Sequence, residues 1–431
     1  MKKLLLASCV SLVLSHGLFA KPTTEEEQQT RFESLSKLTK VIGTVEKYYV
    51  DDIKLQQIVD KALKGLMQEL DAHSSFLDKK SSKEMSIQTK GEFGGLGITV
   101  GMRDGALTVI SPIDDTPAYK AGIKSSDIIL KIDDKATLNM TLDEAVSLMR
   151  GKPKTDIVLT VVRKGENKPL KIKITRDIIK IQSVFSKKIE DENLLYLRIS
   201  SFDSNVTDKL EDAIKSNKDA KGIVLDLRNN PGGLLSQAIG VVDLFVDEGV
   251  IVSQKGKDKE TEESFEASSL NTISKLPVVV LVNGGSASAS EIVSGALQDY
   301  KRAIVIGEKT FGKGSVQAVL PITKDRSENI KLTIAKYYLP SGRTIQATGV
   351  TPDVIAHAGK VTQEKDSEFK IKEADLKKHL EGELEKVDDK KETKKEVKKD
   401  ESKIITKDEI NDDNQLNTAI GILKSLVILN K

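Results

Sequence analysis

Pro277-Val-Val-Val-Leu-Val-Asn-Gly-Gly-Ser-Ala-Ser-Ala-Ser-Glu291 reads as a strand, a cramped turn and the start of a helix. The apolar run 278–282 has no polar face, so a strand here is covered on both sides. Asn283-Gly-Gly breaks it. Ser286, Ser288 and Ser290 then stand at every second position before a helical stretch reaching Leu297. Two other segments repeat the plan. Gly222-Ile-Val-Leu-Asp-Leu227 is followed by Asn229-Asn-Pro-Gly-Gly233 and a helical pattern through Ile239, Val242 and Phe245, and 303–307 is a third apolar strand. Apolar strands alternating with helices specify an α/β core over 178–358.

Outward from that core the pattern changes. Six glycines between 91 and 105 interrupt short β-rich runs at 107–111, 128–132 and 156–162, with one helical pattern at 142–149, so 91–177 reads as a small barrel-like domain. Before it, 24–90 is helical, with an apolar seam at Leu35, Leu38, Ile42, Val45 and Tyr49 that suits either the chain's own core or a partner helix. After the core, 359–403 is a Lys/Glu/Asp run that cannot bury enough apolar surface to order itself and reads as a linker. A last apolar helix follows at 404–431.

The N-terminus, Met1-Lys-Lys followed by an apolar run to Ala20, has the layout of a secretory signal peptide, 1–20; an uncleaved anchor is the alternative. The single cysteine, Cys9, lies inside that segment, so the exported chain has no disulfide or thiol chemistry. The 67 basic and 65 acidic residues leave a net charge of +2, which gives no reason to expect nucleic acid.

Which chemistry does this composition support? The four histidines are His16, His73, His357 and His379, and none lies between 180 and 353. A Ser-His-Asp triad and a His-ligated metal in the core are therefore disfavoured, and no cofactor is expected. A hydrolase built here would use Ser or Thr as nucleophile and Lys or a carboxylate as base. The serine cluster sits where helix N–H groups are unpaired and can stabilise an oxyanion, and the Pro231-Gly-Gly233 turn of a neighbouring strand can add a donor on the same sheet edge. Two ordinary tight turns with serine caps fit the same pattern. A lysine base must lose about three units of pKa, roughly 4–5 kcal/mol, through burial or nearby positive charge. Lys313, between glycines in Phe311-Gly-Lys-Gly-Ser-Val-Gln317, is the lysine best placed to turn inward; Lys309 remains open on physics alone.

Several ordered motifs together resemble the carboxy-terminal processing peptidases, or tail-specific proteases. They are Asn283-Gly-Gly-Ser-Ala-Ser-Ala-Ser-Glu-Ile292, Gly312-Lys-Gly-Ser-Val-Gln317, Leu225-Asp-Leu-Arg-Asn-Asn-Pro-Gly-Gly233, Leu339-Pro-Ser-Gly-Arg-Thr-Ile-Gln346 and Leu70-Asp-Ala-His-Ser-Ser-Phe-Leu77. The resemblance covers roughly 30–355. It implies a ClpP/crotonase-like α/β protease core with an inserted β-rich PDZ domain and flanking helices, working by a Ser-Lys dyad. Carried over residue by residue, Ser288 is the nucleophile, Lys313 the base and Gln317 the residue that orients the lysine. The N–H of Ala289 and one from Gly232 or Gly233 form the oxyanion hole. Gly95-Leu96-Gly97-Ile98 is the PDZ loop that holds a substrate's terminal carboxylate, with the helix at 142–149 lining the pocket.

The implied substrates are exported or membrane proteins with apolar or unstructured C-termini, met in the periplasm, or at the inner membrane if the signal is retained. Terminal helices would pair subunits into a homo-oligomer, and the need for an adaptor protein stays open. Two rival readings are a non-catalytic PDZ adaptor on a degenerate core and an acyl hydrolase acting on a thioester. Intact Ser288, Lys313 and Gln317 count against the first, and the PDZ-like domain against the second.

Overall fold

The structure is a computed structural model and describes residues 25–103, 105–257, 262–361 and 403–429. The expected signal peptide, and nearly all of the expected charged linker, lie outside the described residues.

Four elements open the chain: α1 (Glu25–Tyr48), α2 (Leu55–Gln68), β1 (Ser75–Leu77) and α3 (Lys79–Lys90). None of α1 is buried, and Phe32, Leu35 and Leu38 are more than half exposed, so the first part of its apolar seam is left uncovered among the described residues. The helix α3 was not legible as a separate element in the sequence. It is capped by Asp78, whose carboxylate accepts from the Ser81 N–H, and ends at Gly91, where φ of 67° favours a residue without Cβ.

A small β domain follows, with β2 (Glu92–Gly95), β3 (Ile98–Arg103), β4 (Ala106–Pro112), α4 (Pro117–Lys120), β5 (Ile128–Ile132), β6 (Lys135–Ala136), α5 (Leu142–Met149), β7 (Asp156–Val162), β8 (Leu170–Thr175) and β9 (Asp177–Lys180). The sheet runs β3-β4-β5-β7-β8, and a two-stranded ribbon of β2 and β9 carries the chain in and out. Alternating side chains such as Leu107, Val109, Ile129, Ile132, Leu159 and Val161 meet Ala145 and Met149 of α5 in a core separate from the rest of the molecule.

The remaining elements are β10 (Val184–Ile189), β11 (Leu194–Ile199), α6 (Val206–Ser216), β12 (Gly222–Asp226), α7 (Leu235–Asp243), β13 (Glu248–Gly256), β14 (Glu263–Ser268), β15 (Val278–Val282), α8 (Ala289–Asp299), β16 (Ala303–Gly307), β17 (Ser315–Pro321), β18 (Asn329–Tyr338), β19 (Val354–Ile355), β20 (Ile404–Ile405), α9 (Lys407–Asn411) and α10 (Asn414–Leu429). A seven-stranded sheet runs β19-β16-β15-β12-β11-β10-β20 and is parallel except for the β10–β11 pair. Every residue of β12 and β15 is buried. Alternate residues serve opposite faces: Ile223, Leu225, Val278 and Val280 pack with α7 and α8, whereas Val224, Val279 and Leu281 pack with Leu416, Ala419, Ile420 and Leu423 of α10. The terminal helix α10 thus spends its apolar face within its own chain. A second, antiparallel sheet, β1-β18-β13-β14 with β17 paired to β18, stands beside the first and ties the N-terminal segment to the core.

Candidate active site

Because β12 and β15 are parallel neighbours, the turns that follow them emerge side by side. The Asn229 N–H donates to Asn283 Oδ1 at 2.9 Å, the Ala287 N–H to the Asn230 carbonyl at 3.0 Å, and Asn283 Nδ2 to Asn229 Oδ1 at 2.9 Å. Two of the three clustered serines complete the lashing. The Ser286 hydroxyl donates to the Leu227 carbonyl at 2.8 Å and the Ser290 hydroxyl to the Asn230 carbonyl at 2.9 Å. The Ser288 hydroxyl donates to no acceptor among the described residues. Of the three, it alone is free to give up its proton.

Ser288 occupies the residue before α8 with φ 55° and ψ −111°. This conformation costs a non-glycine residue about 1–3 kcal/mol and persists only where the surroundings impose it. A serine on such a strained strand-to-helix turn projects its Oγ from the sheet edge. The imposing group is Glu291, fully buried one turn into α8. Its Oε2 accepts from the backbone N–H of Ser288 at 2.8 Å and of Lys313 at 2.9 Å. Its Oε1 accepts from the Gly312 N–H at 2.7 Å and the Thr310 hydroxyl at 2.5 Å. One carboxylate therefore holds the backbones that carry Ser288 and Lys313. The Ser-x-x-Glu spacing of a capping box was readable from the sequence, but its second arm, to the loop 310–313, was not.

Gly232 stands against the serine. A Cβ there would come within 2.9 Å of Ser288 Cβ and 2.8 Å of the Ala287 carbonyl oxygen, and its φ of 102° is also unfavourable for any other residue. Its N–H donates to Asn230 Oδ1 at 2.9 Å, within its own turn. The N–H groups of Gly233 and Ala289 have no acceptor among the described residues.

The lysine side is organised differently. Lys313 is partly buried, and its ammonium is pushed below the usual lysine range, first by burial and then by Lys331, against the opposing pull of Glu291. No hydrogen bond joins Lys313 to Ser288 Oγ or to Gln317 among the described residues. Gln317 Nε2 donates instead to Ser315 Oγ at 2.9 Å and Thr333 Oγ1 at 3.3 Å. Thr333 in turn donates to Asp71 Oδ1 at 3.1 Å, and its N–H donates to Ser74 Oγ at 3.1 Å. The Asp71 carboxyl is lowered to about 2, chiefly by the Ser74 hydroxyl and further by the N–H groups of His73 and Ser74. The Asp71-Ala-His-Ser74 motif is thus knotted to β18 beside the lysine. His73 is itself held below the usual histidine range by burial and then by Lys313.

In the small β domain, Leu96 is a core residue, so its side chain faces away from any ligand. The carbonyls of Leu96 and Gly97 accept from the Ala118 and Ile113 N–H groups at 2.9 Å. The N–H groups of Leu96 and Gly97 have no acceptor among the described residues, an arrangement that can receive a carboxylate. Ile98 begins β3 and is half-buried. Arg150, just after α5, stacks over the Phe93 ring at 4.8 Å. Among the described residues, no group of three or more His, Cys, Asp or Glu side chains could hold a metal ion, and no helix is long and apolar enough to cross a membrane.

Residues 193–356 match peptidase family S41, and residues 94–174 match a PDZ domain. The chain is 43% identical over 379 residues to the carboxy-terminal-processing protease of Bartonella bacilliformis, covering 86% of each. It is 37% identical over 335 residues to the carboxy-terminal processing protease CtpA of Bacillus subtilis, covering 77% of this chain and 71% of that protein. Among solved structures, the photosystem II D1 C-terminal processing protease is 29% identical, covering 76% of this chain and 88% of that one, with a TM-score of 0.43. With its S41 core, its PDZ domain and relatives of this closeness, the chain belongs to the carboxy-terminal processing proteases, serine peptidases that carry a PDZ domain.

Proposed function

We propose that this protease cleaves peptide bonds by a dyad of Ser288 and Lys313, on a core of the ClpP/crotonase-like class. Neutral Lys313 takes the Ser288 proton as Oγ attacks the scissile carbonyl, then gives it to the leaving amine; a water deprotonated by the same lysine releases the acyl-enzyme. The oxyanion is received by the N–H groups of Ala289 and Gly233, since that of Gly232 is engaged by Asn230. The observation that carries this reading is the Glu291 carboxylate, which fixes the backbones of Ser288 and Lys313 to one buried point. The dyad hydrogen bond forms when substrate excludes water and the lysine swings to Oγ, and Gln317 orients the lysine in that state.

The substrates are proteins with apolar or unstructured C-termini. Their terminal carboxylate is held by the N–H groups of Gly95-Leu96-Gly97-Ile98 while the tail adds a strand beside β3. The chain is divided into a signal peptide (1–20), a helical region (24–90), the PDZ domain (91–177), the protease core (178–358), a charged linker (359–403) and a terminal helix (404–431). Lys2, Lys3 and the apolar run to Ala20 support export to the periplasm. The exposed seam of α1, with Phe32, Leu35 and Leu38, supports a homo-oligomer or an adaptor built on that helix.

The test is degradation of a poorly folded reporter ending in an apolar tail, by the wild-type protein and by Ser288→Ala. Cleavage by the first alone is the expected result. Equal cleavage by both would remove Ser288 from the role.

A further inference from the structure

Between the protease core, α3 and the PDZ domain lies a cavity of about 1180 Å³. Its walls connect the parts a substrate must pass. Gly94 and Gly151, joined by an N–H to carbonyl bond of 3.0 Å, close the PDZ side, whereas Gln317 and Leu234, the residue after the Gly232-Gly233 turn, form the core side. Six cations line it: Lys79, Lys83 and Lys90 of α3, Arg150 and Lys152 of the PDZ domain, and Arg326 of the loop between β17 and β18. Among the described residues none of the six forms an ion pair, although Lys79 acts on Asp325 at longer range. The one acidic residue in the lining is Glu92.

Nearby surface positions show a contrasting choice. Lys80, the α3 residue beside Lys79, reaches Asp143 of α5 at 3.0 Å, and Lys64 lies 3.7 Å from Asp78. These two lysines outside the cavity lining are paired, whereas the six cations in the lining have no carboxylate partner among the described residues, Arg150 stacking on Phe93 instead. Six like charges gathered around one concavity repel each other and destabilise the compact state, and they raise the local concentration of anions. Apolar groups, among them Met85, Ile87 and Phe93, share the walls, so the surface fits a chain that carries both acidic and apolar side chains.

We propose that this cavity selects substrates whose segment upstream of the apolar C-terminal tail is acidic. Asp and Glu side chains of an unfolded polypeptide are drawn in between the PDZ-held end and the bond to be cut. The inference rests on the protease reading above and deepens it by naming the substrate class.

The test measures binding in a form that cannot cleave. Twenty-residue fluorescent peptides share one apolar C-terminus and differ in a six-residue upstream segment, either Asp/Glu, Ser/Asn or Lys. Anisotropy against the full chain carrying Ser288→Ala is expected to show the acidic peptide binding roughly tenfold tighter than the neutral one at ~20 mM salt, with the two converging near ~0.5 M. The added double substitution Lys83→Glu/Lys152→Glu, at two exposed side chains whose change leaves the folded core intact, is expected to abolish the preference; unchanged thermal unfolding confirms the fold. Equal binding of the three peptides, or a preference that survives the double substitution, would overturn the proposal. Equal displacement by a single-stranded oligonucleotide of the same charge would overturn it too, by assigning the cavity to polyanions in general. Cleavage of the neutral peptide by the unmutated protein is read separately. Its absence, together with absence of cleavage of the acidic peptide, would fail the dyad while leaving the binding result standing.

Discussion

The two halves of the active site are fixed by different means. On the serine side, hydrogen bonds from Ser286, Ser290, Asn229 and Ala287 lash two turns together, and Glu291 forces Ser288 into its strained conformation. On the lysine side the backbone of Lys313 is held by the same Glu291, but its ammonium has no hydrogen-bond partner among the described residues, and Gln317 faces Thr333. In the proposed dyad, Ser288 is set by the local fold, whereas Lys313 depends on the β17–β18 sheet and on the N-terminal segment fastened to it.

The largest effect is expected from breaking the lysine half outright. Lys313→Arg retains charge and length but cannot be deprotonated, so turnover is expected to fall by roughly 10³ or more, to the level of Ser288→Ala. Single-turnover cleavage of a reporter checks this. Activity near that of wild type would remove Lys313 from the role of base.

Glu291→Gln tests what the two halves share. An amide presents one oxygen and an NH₂ group where four donors converge, so two of the four lose their acceptor in a buried site, at about 1–3 kcal/mol each. A lowered melting temperature is expected together with a loss of roughly 10–100-fold in kcat, with KM little changed, because positioning rather than binding is lost. A rise in KM alone would show that Glu291 serves the substrate site instead.

The pH profile sharpens the contrast. As the proposed base Lys313 acts only when neutral, and burial followed by Lys331 depresses its pKa. Activity is therefore expected to rise as pH increases through that depressed value. Lys331→Met removes a positive neighbour, which raises the lysine's pKa and moves the rising limb to higher pH. A limb that stays in place would mean that burial alone sets the base.

How much of this was legible in the sequence follows the same divide. The strand–turn–helix plan at 277–291 exposed the parallel core because local hydrophobic period and turn chemistry determine it. The helix Leu142–Met149 and the strands Ile128–Ile132 and Ala303–Gly307 were readable to the residue for the same reason. The roles of Glu291 and Asp71 were not, because each depends on partners 19 to 262 positions away in the chain. The helix α3, with few apolar residues and none buried, gave no periodic signal. The preference for Gly233 over Gly232 in the proposed oxyanion hole rests on Asn230, whose side chain folds back onto the Gly232 N–H in a way no pattern announces.

The smallest expected effect lies farthest from the reacting atoms. Asp71 reaches Gln317 through Thr333, so Asp71→Asn is expected to lower kcat by only a few-fold while loosening the N-terminal segment from β18. Its carboxyl sits at about 2 in the folded protein against an ordinary value of 3.8. The folded state therefore binds this proton less readily than the unfolded chain. The stability Asp71 contributes is complete above about pH 4 and is lost as pH falls toward 2. Protection from hydrogen exchange over 71–77 and 329–333, taken against the intrinsic rate at each pH, is expected to fall in that window for the wild type, whereas Asp71→Asn shows low protection at every pH. If exchange quickens equally across the serine turn at 283–291, then both halves of the site share one fastening, and the division between a preset serine and a dependent lysine does not hold.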